Sequence, residues 1–174
     1  DHCLVGSEMC IRDSFSSFLD ESLIRKHVTF LILKDLNQKS WNEWDNIYQE
    51  YSDDLFDKLF TENTELVNFH VLTQYEFFNQ WGSLKKYAND KNVKILGDIP
   101  IYVNHDSADV WLNKEMFELD ETGNMELVSG AVPDSFNTEG QIWGNALYRW
   151  DLHKEDNFKY WKEKLNKSLN LYDY

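Results

Sequence analysis

The fold of this chain is decided by one stretch, Val93-Lys94-Ile95-Leu96-Gly97-Asp98-Ile99-Pro100-Ile101-Tyr102-Val103. Residues 93–96 form a largely apolar run, too short for a helix and bounded by turn residues, which predicts a strand buried on both faces. The run delivers the carboxylate of Asp98 at its end, and Pro100 follows without an N–H for a sheet ladder. In an α/β barrel, polar residues at the carboxyl ends of strands face the reaction site. The stretch therefore predicts Asp98 at the mouth of a barrel strand.

Helices are predicted on the amino-terminal side of this strand. One covers Asp20 to about Lys34, with Asp20 as its cap and apolar residues around most of its circumference. The pattern is helical again from Ser52 to Asn89, with a break near Asn63 and apolar residues stepping by three or four. We expect the second part of that stripe to be core; it comprises Val67, Val71, Tyr75, Phe78, Trp81, Leu84 and Ala88.

Shorter elements are predicted on the carboxyl-terminal side. Residues 117–128 read as a hairpin whose turn chemistry lies at Asp120 to Asn124. Asp156 can cap a last helix, and Leu171 to Tyr174 resembles the entry to another strand. A helix, a short turn, a buried strand and a long loop make one step of a repeating barrel. The predicted fold class is therefore α/β.

The loop from Ser129 to Gly140 is a candidate lid. It carries Asp134 and an aromatic residue, Phe136, which could exclude water from a site. A plain surface loop is the alternative. Aromatic and amide side chains follow it and would suit a sugar's C–H faces and hydroxyls, or would simply pack beneath the loop; they are Gln141, Trp143, Asn145, Tyr148 and Trp150.

Other polar and aromatic residues have a structural interpretation beside a functional one. Asp98 could hold a sugar hydroxyl or be fixed by backbone N–H groups. For Asp106 or Ser107 we favour capping of a short helix over a calcium site. His27 is expected in the core or at its boundary, and Trp41 and Trp44 are expected to anchor a connector.

Composition excludes several classes of partner. The 174 residues carry 17 Lys and Arg against 31 Asp and Glu, a net charge of −14, which argues against nucleic acid and anionic membranes. Only Cys3 and Cys10 occur, at a spacing that fits no common metal or redox site. The scarcity of cysteine favours a cytoplasmic location.

The first segment of the chain reads differently from the rest. Residues 1–14 lack a usable periodicity, and we interpret them as a non-native or disordered prefix, with an ordinary ragged terminus as the alternative. Residues 15–174 are then one structural unit without internal repeats.

Three motifs together resemble a known family, and they cover roughly Phe18 to Tyr174. They are Gly97-Asp98-Ile99-Pro100-Ile101-Tyr102-Val103, Asp106-Ser107-Ala108-Asp109-Val110-Trp111, and Gly140-Gln141-Ile142-Trp143-Gly144-Asn145 with Leu147-Tyr148-Arg149-Trp150. They are similar to the 4-α-glucanotransferases (amylomaltases, or disproportionating enzymes) of glycoside hydrolase family 77. Val132 and Ala146 stand where the family usually has proline.

The resemblance implies a partial (β/α)₈ TIM barrel, truncated at both ends, in an enzyme that transfers α-1,4-glucan segments between maltooligosaccharides or amylose. It implies a retaining double displacement with two carboxylates and no metal or other cofactor. Asp98 matches the strand-end aspartate of the family's site, Asp134 and Phe136 fall in the loop over the glucan, and Gln141 and Trp143 line the cleft. The nucleophile is expected in an Arg-Ile-Asp-His-Phe motif beyond Tyr174, with the acid/base glutamate later still, so this chain carries no catalytic residue.

A non-catalytic α-glucan-binding domain is the alternative function. It would use Asp98, Phe136 and Trp143 as a platform, and the chain alone would then bind maltooligosaccharides tightly. If the chain is instead a fragment of an enzyme, it holds only part of the cleft and should bind maltooligosaccharides poorly.

Incubation of the chain with maltotriose is expected to release no glucose above a control without protein. The reason is that the nucleophile is expected outside the chain, and its loss costs many powers of ten in rate. Glucose released above the control would contradict the interpretation as a fragment.

Overall fold

The computed structural model describes residues 17–19 and 21–174. Six helices and two strands follow one another along residues 21–174, together with three short 3₁₀ helices at Trp41–Glu43, Asn46–Tyr48 and Lys114–Met116. They are α1 (Ser22–Asn37), α2 (Asp53–Glu62), α3 (Thr64–Asp90), α4 (Ala108–Leu112), β1 (Val128–Ala131), β2 (Gln141–Ala146), α5 (Trp150–Glu155) and α6 (Lys159–Leu171). The prediction for residues 1–14 and the predicted cap Asp20 lie outside the described residues.

The helices predicted before the central stretch are confirmed. α1 ends at Gln38, whose left-handed φ of 53° lets its N–H donate to the Lys34 carbonyl. α2 begins because the Ser52 hydroxyl accepts from the N–H of Leu55. The predicted break falls at Asn63, where a φ of −135° separates α2 from α3.

The core forms around α1, which packs against α2, α3 and α4. Each of these helices turns an apolar stripe toward the others, and burial of one Val, Leu or Ile side chain contributes about 1.5–3 kcal/mol. The buried residues of this core are Ile24, Val28, Phe30, Ile32, Leu33, Trp41, Trp44, Phe56, Leu59, Val67, Val71, Val110 and Trp111.

Three buried tryptophans hold the connector after α1. The indole N–H of Trp41 donates to the His105 carbonyl at 2.7 Å, and that of Trp111 donates to the Tyr48 carbonyl at 3.0 Å. Trp44 donates within the connector. The prediction that Trp41 and Trp44 anchor this connector is confirmed. Ser107 caps α4 by accepting from the Val110 N–H, as predicted.

The prediction of a buried strand at residues 93–96 is wrong in its burial. The segment is extended but not part of a regular strand, and Leu96 is 79% exposed. The aromatic stripe of α3 is also less buried than predicted: Val67 and Val71 are in the core, whereas Phe78 and Leu84 are exposed. Leu96 and Leu84 are thus largely open to solvent, and Phe78 is covered only in part, by the ring of Phe18.

The last two residues of the chain nevertheless pair with the central stretch. The Tyr174 N–H donates to the Ile95 carbonyl at 3.3 Å, and the Gly97 N–H donates to the Tyr174 carbonyl at 2.9 Å. Tyr174 thus bonds to Ile95 and to Gly97, the residues on either side of Leu96, and this is the hydrogen-bond pattern of two parallel strands. The prediction that residues 171–174 enter a strand therefore agrees with these hydrogen bonds.

Gly97 is required by this pairing. A Cβ at this position would overlap the ring of Tyr172, which lies directly against the glycine backbone. The Asp173 carboxylate adds a bond from the Ile95 N–H at 2.8 Å, and this bond is the main reason that its pKa is lowered.

The predicted hairpin at 117–128 is only partly present. A single bridge joins Leu119 to Met125 across the turn, where the Asp120 carboxylate accepts from the Asn124 N–H. The longer hairpin is β1 with β2, an antiparallel pair in which Gly130 faces Ile142. The predicted loop 129–140 is therefore wrong at its start, because residues 129–131 belong to β1.

The predicted last helix begins later than Asp156. Asp156 lies between α5 and α6, and its carboxylate accepts from the Lys159 N–H at the start of α6. His27, as predicted, is partly buried at the core boundary, and burial lowers its pKa. None of the helices in residues 21–174 is both long and apolar enough to cross a membrane.

Two ion pairs should differ in their contributions to stability. Asp106 pairs with Lys34 at 2.5 Å, both side chains being less than a third exposed, whereas Lys86 and Asp90 are largely exposed. Asp106→Asn is expected to lower the free energy of unfolding by about 1–2 kcal/mol, because it removes a shielded charge-assisted bond. The matched Asp90→Asn should change it by less than about 0.5 kcal/mol. Urea denaturation measures both, and equal losses would contradict the prediction.

Candidate functional site

Asp98 directly follows Gly97, whose N–H donates to the carbonyl of Tyr174. Its carboxylate is exposed, and Oδ1 accepts from the N–H of Ile99 at 2.8 Å. Among the described residues this is the one donor recorded for it. The remaining acceptor positions of the carboxylate face solvent and can take donors such as sugar hydroxyls.

The segment after Asp98 is held against the region that follows β2. The Tyr148 hydroxyl donates to the Ile101 carbonyl at 2.6 Å. The ring of Tyr102 stacks on that of Tyr148 with their centroids 6.4 Å apart. These contacts bring together two parts of the chain that are 47 positions apart.

Tyr148 is the centre of an aromatic cluster, and it is only 4% exposed. Burial raises its pKa to about 12, against a hydrogen bond with Tyr160 that lowers it. The hydroxyl, which is protonated at neutral pH in any tyrosine, is a donor here to the Ile101 carbonyl. The rings around it belong to Tyr102, Phe117, Trp150, His153, Tyr160 and Trp161.

Trp143 presents a half-exposed ring beside this cluster. Its centroid lies 5.9 Å from that of Tyr102, and 47% of the residue is exposed. Its indole N–H donates to Oε1 of Gln141 at 2.8 Å, which fixes the two β2 side chains relative to each other. An exposed indole beside a tyrosine ring offers an apolar surface for the C–H face of a sugar.

The loop between β1 and β2 is shaped by Asp134. Its Oδ1 accepts from the N–H groups of Phe136 and Asn137, at 2.8 and 2.7 Å. This tight turn projects Phe136, which is 98% exposed, and Gly140 closes the loop with a φ of 72°. One carboxylate oxygen of Asp134 is thus used to build the loop.

The five predicted site residues fall into two groups. The segment that starts at Asp98 contacts the ring of Trp143 through Tyr102, and Gln141 accompanies Trp143. Among the described residues, no recorded hydrogen bond, ion pair or ring contact joins the loop residues Asp134 or Phe136 to residues 98–103. Among the residues described, no group of three or more His, Cys, Asp and Glu side chains is arranged to hold a metal ion.

Sequence reasoning missed part of this arrangement. It left Tyr148 open between stacking and packing, and the structure shows packing with a hydroxyl that reaches the Asp98 segment. Two residues of α6, Tyr160 and Lys164, also border this region. Nothing in the sequence around these two residues indicates a site role, because only the packing of α6 against the Asp98 segment brings them close to it.

Comparisons with a family model and with curated relatives point to the same family. A family model described as 4-alpha-glucanotransferase, of glycoside hydrolase family 77, matches residues 7–174. The match begins within the segment interpreted as a prefix, and that interpretation stays a prediction. The 4-alpha-glucanotransferase of Clostridium butyricum is 42% identical over 165 residues, which cover 92% of this chain and 34% of the relative. That of Thermus thermophilus is 37% identical and covers 92% and 33%.

A solved structure shares the fold of this chain. It is an amylomaltase from Streptococcus agalactiae in complex with acarbose, 36% identical, with a TM-score of 0.84. The similarity covers 94% of this chain and 34% of the amylomaltase. It supports the predicted α/β class. The chain spans about a third of the length of the curated relatives that it matches.

The Tyr148 hydroxyl should stabilise the folded chain. Tyr148→Phe leaves the Ile101 carbonyl without its donor and is expected to lower the free energy of unfolding by about 1 kcal/mol. Tyr102→Phe is the matched control, because no hydrogen bond of the Tyr102 hydroxyl is recorded within the described part of the chain. Thermal or urea unfolding compares the two, and an equal effect of both substitutions would disprove the assignment.

Proposed function

The chain belongs to the 4-alpha-glucanotransferase family, glycoside hydrolase family 77, and on that premise we propose that it forms part of the catalytic (β/α)₈ barrel of such an enzyme. Two observations support this. The central stretch and residues 173–174 bond in a parallel pattern, with α4 to α6 between them in the chain. The apolar surfaces at Leu96 and along α3 are exposed, as expected for a part of a larger barrel.

We propose that the substrate is an α-1,4-glucan, and the observation that carries this is the contact of Trp143 with Tyr102, which follows Asp98 by four residues. Aromatic faces suit the C–H surface of glucose units, and a carboxylate suits their hydroxyls. The amylomaltase of similar structure is in complex with acarbose.

Each predicted site residue has a role in this proposal. Asp98 accepts a hydroxyl of a glucose unit, and the ring of Trp143 packs against that unit. Gln141 orients the indole through their hydrogen bond and offers its own amide to the sugar. Asp134 forms the turn that presents Phe136, and Phe136 covers the glucan when the loop closes and excludes water from the bond being transferred.

The reaction of the intact enzyme is proposed to be a retaining transfer between maltooligosaccharides. A carboxylate nucleophile takes the donor glucan, and a carboxyl group acts as acid and then as base. By the family resemblance both groups are supplied by residues outside this chain, so the chain alone is proposed to be inactive. Its contribution is to bind and orient the glucan.

We infer a cytoplasmic location for the parent enzyme from the scarcity of cysteine. This stays a prediction, since relatives occupy different compartments. The relative from Solanum tuberosum is named as chloroplastic or amyloplastic.

A chimera tests the function and the site together. This chain replaces the segment that it matches in the Clostridium butyricum relative, and the chimera is expected to convert maltotriose into glucose and longer oligosaccharides. Asp98→Asn is expected to lower kcat/KM at least about 100-fold, because the charged acceptor is lost. Trp143→Ala is expected to raise KM about tenfold through lost stacking.

The matched control is Glu126→Gln, an exposed carboxylate before β1 that should leave the rate unchanged. A folded but inactive chimera would contradict the proposed function. An active chimera that keeps its full rate after Asp98→Asn would contradict only the role of Asp98.

A further inference from the structure

The segment at residues 98–103 lacks the usual means of fixing a backbone. It belongs to no helix or strand, and within the described chain it makes no backbone–backbone hydrogen bond. Two consecutive carbonyls are instead held by side chains. The Tyr148 hydroxyl donates to the carbonyl of Ile101, and the ammonium of Lys164 donates to that of Pro100 at 2.9 Å.

Lys164 is placed differently from an ordinary surface lysine. Its Nζ lies 5.3 Å from the ring centroid of Trp161 and 5.9 Å from that of Tyr160, so the ammonium contacts two aromatic faces. Burial lowers its pKa, and the Asp109 carboxylate opposes this effect. Lys162, two positions earlier in α6, is exposed and has no recorded partner within the described residues.

α6 is itself tied to the helix that follows the segment. The Tyr160 hydroxyl donates to Oδ1 of Asp109 in α4 at 3.3 Å. Asp109, Tyr160 and Lys164 therefore link α4, α6 and the carbonyl of Pro100. Because the Tyr160–Asp109 bond ties α6 to α4, the Lys164 ammonium approaches the Pro100 carbonyl from the side of α6.

The covalent chemistry of the segment carries this restraint back to Asp98. The ring of Pro100 fixes its φ, and it restricts the preceding residue, Ile99, to extended conformations. The φ of Pro100 and the φ and ψ of Ile99 are thus restricted between the Pro100 carbonyl and Asp98, and the Asp98 carboxylate accepts from the Ile99 N–H. A restraint on the carbonyl of Pro100 is thus a restraint on the direction of Asp98.

We propose that Lys164 is a positioning residue for glucan binding: its ammonium holds the Pro100 carbonyl and thereby aims the Asp98 carboxylate at the cleft. The proposal rests on the proposed function, in which Asp98 accepts a sugar hydroxyl. Lys164 touches no substrate in this arrangement. Its bond to the Pro100 carbonyl is one of two side-chain bonds that hold this segment.

The sequence offers a selective way to test it by NMR. Asp98-Ile99 is the only Asp-Ile pair in the chain, and Pro100-Ile101 is the only Pro-Ile pair. Labelling with ¹³C-carbonyl aspartate or proline and ¹⁵N-isoleucine therefore gives one carbonyl-selected amide signal for each pair. The first signal reports the order of the Asp98 backbone, and the second reports hydrogen bonding at the Pro100 carbonyl.

Three variants of the 174-residue chain are compared with the wild type. Lys164→Met is expected to shift the Pro100 carbonyl upfield and to lower the order parameter of the Ile99 amide from about 0.85 to below about 0.6. Lys164→Arg keeps a cationic donor and is expected to restore both signals. Lys162→Met is the matched control and should leave both unchanged, and an unaltered Ile32 amide shows that the core is intact.

Several results would overturn the inference. One is an unchanged Ile99 order parameter in Lys164→Met, whether or not the Pro100 carbonyl shifts. Another is a failure of Lys164→Arg to restore the signals. If Lys164→Met does not fold, the wild type still decides, because an Ile99 order parameter below about 0.6 there would show that nothing positions Asp98. None of these signals needs a sugar, so their outcome is independent of the chimera's activity.

Discussion

The candidate site depends on how a backbone segment without sheet partners is held in place. Residues 98–103 make no backbone–backbone hydrogen bond within the described chain, and Pro100 has no N–H to donate. The hydroxyl of Tyr148 holds the carbonyl of Ile101 from within a cluster of aromatic rings, in which Tyr148 is only 4% exposed. This bond brings the residues after Asp98 next to Trp143, and the argument for a glucan cleft depends on that proximity.

The molecule has two packing centres with different chemistry. The first is the helical core around α1, where aliphatic residues are buried and tryptophan N–H groups donate to backbone carbonyls. The second is the ring cluster around Tyr148, which joins α5 and α6 to the segment after Asp98. Tyr148 and Phe117 are buried members of the second cluster that also belong to the hydrophobic core. Trp143 and the segment after Asp98 lie against the second centre through Tyr102, whereas Asp134 and Phe136 lie in the separate loop between β1 and β2.

The exposed apolar surfaces agree with the proposal that this chain is part of a larger barrel. Leu96 and Leu84 are exposed, and the later part of α3 is covered only in places, as at Trp81 by Tyr172. The chain spans about a third of the relatives that it matches. In the proposed barrel these side chains would pack against the neighbouring strands and helices of the intact enzyme. The helices of the amino-terminal part keep their own core because α1 is enclosed by α2, α3 and α4.

The sequence by itself determined the helices before residue 93, the break near Asn63 and the family, because these depend on local spacing and on short motifs. It limited the cap of α4 to Asp106 or Ser107, and it named candidate site residues whose role stays a prediction. It could not give the burial of Leu96 or of the α3 stripe, since apolar periodicity shows which face needs a partner and not whether one is present. It also could not give the pairing of β1 with β2, or the bonds from Tyr148 and Lys164 to consecutive carbonyls. The two side-chain bonds join residues that are 47 and 64 positions apart. Only the tertiary structure brings such distant donors to the carbonyls of residues 100 and 101.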